Sequence, residues 1–277
     1  MKLRVIYRST GLENPKSRPP YYSKSLALQS FLGAAARCDR PVELIYLTDG
    51  PIPRDRLGPM EDTGEVVRQS GLGMVGSYQE ALNQVETREW PDDDVVYLVE
   101  DDYLHTPVAL ASLMAAVESV PHASYFSLYV HKSIDWRRTQ GFQVGDTAWH
   151  TVDSTTSTIA ARVGVLRKDM LIHRLAYRAD GAWDRDACLA CAGVRPYRWA
   201  PLIGDLVGSE PGVRPPPLRR LKRGTAQTLL NGFAVVRSFA RHLLIAPYPS
   251  LATHMTEPYI APGVDWEAVA ATVAPEP

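Results

Sequence analysis

Residues 94–103, Asp-Val-Val-Tyr-Leu-Val-Glu-Asp-Asp-Tyr, constrain the fold of this chain more than any other segment. Five apolar residues in a row, Val95 to Val99, are β-branched or aromatic except for Leu98, and Pro91 with three aspartates forms a turn ahead of them. Such a run reads as a buried strand. It ends on three acids, Glu100, Asp101 and Asp102.

The flanking sequence alternates strand and helix signals, which predicts an α/β protein whose parallel strands are joined by crossover helices. Residues 2–8 predict a first strand, 23–36 a helix after Pro19 and Pro20, and 42–49 a second strand closed by Asp49-Gly50. A polar stretch over 51–71 then leads to the glycine cluster Gly71-Leu-Gly73-Met-Val-Gly76 and a helix carrying Gln79 and Asn83. Thr106 and Pro107 predict an N-cap and first helical position for the next helix, and 124–130 a further strand. Past residue 130 the alternation weakens: a Thr-rich β-patterned segment precedes helices over 167–178 and 225–244, with a Pro-rich, cation-rich loop at 209–223 between them. The expected organisation is one domain over 1–277 in two halves, 1–130 and 131–277, the second extending the sheet and building the site rather than forming an independent repeat.

The charge balance, 30 Lys and Arg against 31 Asp and Glu, gives a formal net charge of -1, so no global field draws nucleic acid. With 45% hydrophobic and 22% charged residues, a disordered or collagen-like chain is excluded. Three cysteines, Cys38, Cys188 and Cys191, make no disulfide framework, and Cys188 and Cys191 lack the further ligands of a zinc site. They read as buried helix residues in a chain expected in the cytoplasm, with neither a leader nor a spanning segment at its start.

The acids carry the chemistry. Ligands of open α/β sheets bind at the carboxyl ends of strands, and strand alternation would set Glu100 and Asp102 on one face with Asp101 across from them. Two hard oxygen ligands on one face suit Mg²⁺ or Mn²⁺ carried by a diphosphate, an ion that keeps positions for phosphate and water.

On these residues the chain resembles the nucleotide-sugar glycosyltransferases of the GT-A fold, a Rossmann-like mixed sheet flanked by helices. The resemblance implies that Arg8 and Ser9 after the first strand, Asp49 after the second, and Gly73, Gln79 and Asn83 hold the nucleotide. Glu100, Asp101 and Asp102 resemble the DxD element, with Glu100 and Asp101 toward the donor and Asp102 and Glu100 toward the metal. His254 is similar to a C-terminal histidine that returns as a further ligand. Asp184 or Asp186, in Ala-Asp-Gly-Ala-Trp-Asp-Arg-Asp, resembles the catalytic base of inverting members, with Asp180 a third candidate. The activity implied is metal-dependent transfer from a nucleoside-diphosphate sugar to a hydroxyl of a carbohydrate, lipid-linked or small-molecule acceptor. Trp136, Trp149 and Trp183 are candidates for stacking on sugars, and 214–223 for peripheral membrane contact.

Three rivals have different signatures. A nucleotidyltransferase needs a glycine-rich loop directly after the first strand, where this chain has only Gly11. A nucleotide-sugar-binding protein keeps the acids without a base. The Gly71–Gly76 spacing matches a dinucleotide fingerprint, but the polar residues before it predict no strand there.

Overall fold

The computed structural model describes residues 1–13, 15–130, 139–156, 158–178, 183–196, 203 and 216–273, and of Trp183 the backbone alone. Strands β1 (Leu3–Thr10), β2 (Val42–Asp49), β3 (Glu65–Gln69) and β4 (Val95–Glu100) run parallel in the order β3-β2-β1-β4. Their crossovers are the helices α1 (Lys24–Ala36), α2 (Arg54–Thr63) and α3 (Gly73–Thr87). Next come β5 (Tyr103–His105), α4 (Ala109–Ser119), β6 (Ala123–Phe126), β7 (Gly141–Val144), β8 (Thr147–Thr151), β9 (Ile159–Arg162), α5 (Val163–Arg178) and α6 (Trp183–Cys191). The remaining described α-helices and strands are α7 (Pro217–Arg237), β10 (Leu243–Tyr248), β11 (Ala252–His254) and α8 (Trp266–Val273), with a 3-10 turn at Glu257–Tyr259.

The sheet continues from β4 through β9-β6-β10-β8-β7, with β9 antiparallel to both β4 and β6 and β10 parallel to β6. The fold is thus the expected α/β class, a mixed central sheet flanked by helices. Both faces of its middle strands are covered. Val95, Tyr97 and Val99 enter one core with α1, α4 and α8, while Val96 and Leu98 enter the other with α3, α5, α6 and α7. That double burial explains why β4 carries no polar alternation. A separate antiparallel pair, β11 on β5, places His254 opposite Tyr103.

Several expectations are corrected. The polar stretch 51–71 holds α2 and β3, although α2 contains Pro59; register with β2 from Ile45↔Glu65 to Asp49↔Gln69 makes β3 an edge strand, where polar residues are tolerated. The glycine cluster therefore does follow a strand. Helix α4 starts at Ala109 after Val108, with no side-chain cap: Thr106 Oγ1 makes no hydrogen bond, and the Thr106 carbonyl, not its hydroxyl, accepts the Ala109 N–H. Helix α5 starts four residues early, since the 92–94 turn caps it: Val163 N–H donates to the Asp94 carbonyl and Gly164 N–H to that of Asp92. The last long helix is α7, which begins at Pro217 with proline in its first turn and ends at Arg237; Leu243 already opens β10. The expected loop is helical from residue 217 onward. No helix among the described residues is long and apolar enough to cross a membrane.

Candidate functional site

The carboxyl ends of β1 and β4 and the first turn of α3 enclose a cleft of about 220 Å³. Its lining includes Arg8, Ser9, Thr10, Lys16, Ser77 and the three acids. Strand β4 ends at Glu100 and the next two residues form a turn, so the alternation that pairs Glu100 with Asp102 stops one residue too soon. Each acid instead has its own cation.

Glu100 pairs with Arg8, which bonds to Ser77 Oγ at 3.1 Å and lies over the Tyr78 ring, 5.3 Å from its centroid. Asp101 is buried, and its Oδ2 accepts from Ser9 Oγ at 2.7 Å and from the Thr10 N–H at 2.9 Å. Lys24 at 3.1 Å and Arg56 at 3.5 Å complete that cluster. Asp101 thereby ties α1 and α2 to the end of β1. Asp102, only 6% exposed, bonds through Oδ2 to Arg18 at 3.2 Å and His254 Nε2 at 3.0 Å, with Lys16 at 3.6 Å. Burial alone would push its carboxyl up, but the hydrogen bond and charge of His254 and the charges of Lys16 and Arg18 hold it well below the usual range.

His254 reaches this position from β11, stacked on Tyr103 at 5.1 Å between ring centroids. Arg18 is fixed by the Met255 carbonyl at 2.8 Å, Thr256 Oγ1 at 3.0 Å and the Tyr22 ring. Three buried polar atoms here have no hydrogen bond: Asp102 Oδ1, Arg8 Nε and Arg18 Nε. Unpaired buried donors and an unpaired carboxylate oxygen are costly. Asp102 and Arg8 line the cleft, where a cation and an anion would meet them; Arg18 is not part of the lining.

Among the described residues no three His, Cys, Asp or Glu side chains are gathered as a metal cage. Glu100 is taken by Arg8, and His254 Nε2 by Asp102. The free Asp102 Oδ1 fits an ion held by one protein carboxylate and completed by substrate phosphate and water, as Mg²⁺ commonly is.

Asp49 also lines the cleft, where its carboxylate accepts the N–H groups of Leu72 at 3.1 Å and Gly73 at 2.6 Å. It closes the N-terminus of α3, and Gly71 and Gly73, with φ of +73° and +64°, allow the loop to present those groups. Asn83 faces away from the cleft, bonded to Glu80 and Arg174, and Gln79 is not part of the lining. Asp184 sits in the first turn of α6 outside the immediate lining; its carboxyl is pushed up to about 6, first by burial and further by the charge of Glu100. Asp186 is deeper, 3% exposed. Trp149 is a core residue packed edge-on to Phe126, not a sugar platform. Asp180, Trp136, the Trp183 side chain and Arg214 lie outside the described residues.

Sequence reasoning missed Lys16, Arg18, Lys24, Arg56 and Tyr78. The readable signal was Pro15-Lys-Ser-Arg-Pro-Pro, two cations in a proline-stiffened loop just past the first strand.

No protein-family model matches the chain, and no curated protein matches its sequence. Among solved structures it aligns with 4-diphosphocytidyl-2C-methyl-D-erythritol synthase at 16% identity and TM-score 0.43, over 70% of this chain and 86% of that one. It aligns with S. aureus TarS at 12% identity and TM-score 0.44, over 68% of this chain and 33% of that one. Glucosyl-3-phosphoglycerate synthase from Mycobacterium tuberculosis, solved with Mn²⁺, UDP and glucosyl-3-phosphoglycerate, aligns at 11% identity and TM-score 0.38, over 62% and 58% of the two chains. Overlaps this loose leave the fold of the chain resting on its own strand order and register.

Proposed function

We propose that the chain is a glycosyltransferase of the GT-A kind, transferring a sugar from a nucleoside-diphosphate donor to an acceptor hydroxyl with a divalent ion, Mn²⁺ or Mg²⁺, and with inversion. One observation carries this reading: just past the carboxyl end of β4, Asp102 keeps a buried, unpaired oxygen in a cleft that Arg8, whose Nε is also unpaired, and Lys16 line with it. That arrangement suits a diphosphate and its cation better than a neutral ligand.

In this reading Asp102 holds the ion, which when bound supplies Lewis-acid stabilisation of the departing diphosphate. Arg8 and Lys16, which line the cleft, take the phosphate oxygens, the ammonium as a point charge, while Arg18 holds Asp102 from behind. Ser9 and Thr10 sit where the nucleotide would pass. His254 keeps Asp102 ionised and oriented. Asp184, poised near neutrality, accepts the proton of the attacking hydroxyl, while the deeper Asp186 is the weaker choice of base. Asp49 contributes by holding the α3 wall.

A thermal-shift screen of nucleoside diphosphates, each with and without Mn²⁺, tests the donor site on wild type, Asp102→Asn and Arg8→Ala. The expected result is a rise in Tm with one nucleotide that needs the metal and disappears in both variants. If no nucleotide shifts wild type under any metal, the reading is wrong. Release of the diphosphate from the donor, rather than pyrophosphate from a nucleoside triphosphate, separates sugar transfer from nucleotidyl transfer.

A further inference from the structure

A second cavity, of about 840 Å³, opens between the first turn of α3, the end of α5 and the first half of α7. Val75 lines it, while its neighbours Met74 and Ser77 on the same turn line the acid cleft, so one helical turn is the partition between the two. The lining has two chemistries. Arg178, Arg219, Lys222 and Arg223 contribute cations with no acid among the described lining residues, and Val75, Leu175, Leu221 and Leu229 contribute apolar surface.

Helix α7 extends the same pattern outward. Gly224, Ala226, Leu230 and Ala234 are buried on its inner side, but Leu218, Leu221, Thr225, Leu229, Gly232 and Val236 recur at steps of three and four and are all exposed. Phe239 prolongs that line just past the helix and is 89% exposed. Leu218, Leu221, Leu229 and Val236 make this an apolar stripe, interrupted at Thr225 and Gly232, on the solvent side of a helix without a single acid in its 21 residues. A long apolar stripe beside a cluster of cations is the pattern of a helix lying in a lipid interface.

We propose that the cavity and the α7 stripe together form a site for a phosphate-bearing amphiphile presented at an anionic lipid surface. The cations would take the phosphate, the apolar walls the start of the chain, and the stripe the surrounding lipid. The volume falls within the range of ligand cavities and exceeds what a bare phosphate would fill. Calling this ligand the acceptor of the neighbouring cleft rests on the donor reading above; its binding does not.

Vesicle flotation, run without nucleotide or metal so that the donor reading is not tested by it, gives the first arm. Wild type should float with phosphatidylcholine vesicles containing one-fifth phosphatidic acid at least tenfold more than with phosphatidylcholine alone. Lys222→Glu and Leu221→Glu should each lower the bound fraction at least fivefold, with far-UV circular dichroism unchanged because both positions are exposed. Val236→Glu, further along the stripe, should lower it as well. Equal recovery on both vesicles, no recovery, or variants that float like wild type would overturn the proposal. Soluble probes give the second arm: hexyl phosphate should raise Tm and inorganic phosphate at equal concentration should not. Equal shifts from both, or none from hexyl phosphate, overturn it too.

Discussion

At the scale of single residues, Asp184 is where pH is expected to act. Its carboxyl is raised to about 6 by burial, with Glu100 adding, so the folded state holds that proton more tightly than the unfolded chain does. The two states are equal below the unfolded value; the penalty of an ionised Asp184 grows from there to about pH 6 and is complete above it. Two outcomes follow. Transfer at limiting donor should rise with pH through about 6, and Asp184→Asn should lose that limb and fall roughly 10²–10⁴-fold while still binding nucleotide. In urea titrations at pH 8 the same variant should be more stable than wild type, by up to about 3 kcal/mol, with the gain vanishing near pH 4. A variant that loses transfer without gaining stability would mean that Asp184 is not the strained group. Asp184 and Asp186 could both be picked from sequence as candidates, but no preference between them could be drawn there, because both fall on one short helix and their difference in burial belongs to the folded chain.

At the scale of elements, α3 is the part that connects the most features. Its first turn receives Arg8, partitions the two cavities and is anchored by Asp49 through two N–H groups. Removing that anchor by Asp49→Ala should cost about 1 kcal/mol, as other lost helix-terminal carboxylates do. Hydrogen exchange at residues 72–76 should speed up while the centre of β4 stays protected; unchanged exchange there would show that Asp49 does not hold the turn. The buried elements β1, α1, β2, α3 and β4 were legible because burial writes long apolar runs; the Ser23 cap, bonding the Leu26 N–H, is a further signal that sequence reasoning passed over. Elements α2 and β3 were not, since an edge strand beside a proline-bearing helix has no local pattern and exists through its register with β2. The start of α7 was hidden for a related reason. Its prolines and cations look like a loop until the partner faces of α5 and α6 are in place.

For the whole molecule, polar groups buried deep in the two cores set its tolerance of acid. His105 and His173 are buried and lowered to about 4 by desolvation, His105 meeting Tyr97 at 3.0 Å and His173 lying between Tyr78 and Tyr125 at 3.1 Å from each. Tyr125 donates to Asp169, so its oxygen is left to accept from His173 Nε2–H, and Nδ1 of the same ring accepts from Tyr78. Because these folded values lie below the unfolded one, the unfolded chain gains protons first as pH falls from about 6.5 to 4, and each histidine costs about 3 kcal/mol of stability over that window. Asp184 and Asp101, both raised by burial, give part of this back, and His150, lowered by burial, adds to the loss; replacing both His105 and His173 by Gln should flatten the fall in unfolding free energy between pH 7 and 4, and an unchanged slope would refute the assignment. The histidine pocket was invisible in the sequence, where His173 is one polar residue on an amphipathic helix. The acid end of β4 was visible, and the return of His254 was legible only through the family resemblance. That return has a price in time. His254 lies 152 positions from Asp102, so the β5–β11 ladder is among the longest-range contacts in the chain and tends to form late. A nascent chain that has released only its first 130 residues carries all three acids and most of their cations but not the strand that orients Asp102, so the cleft stays incomplete until synthesis passes β11.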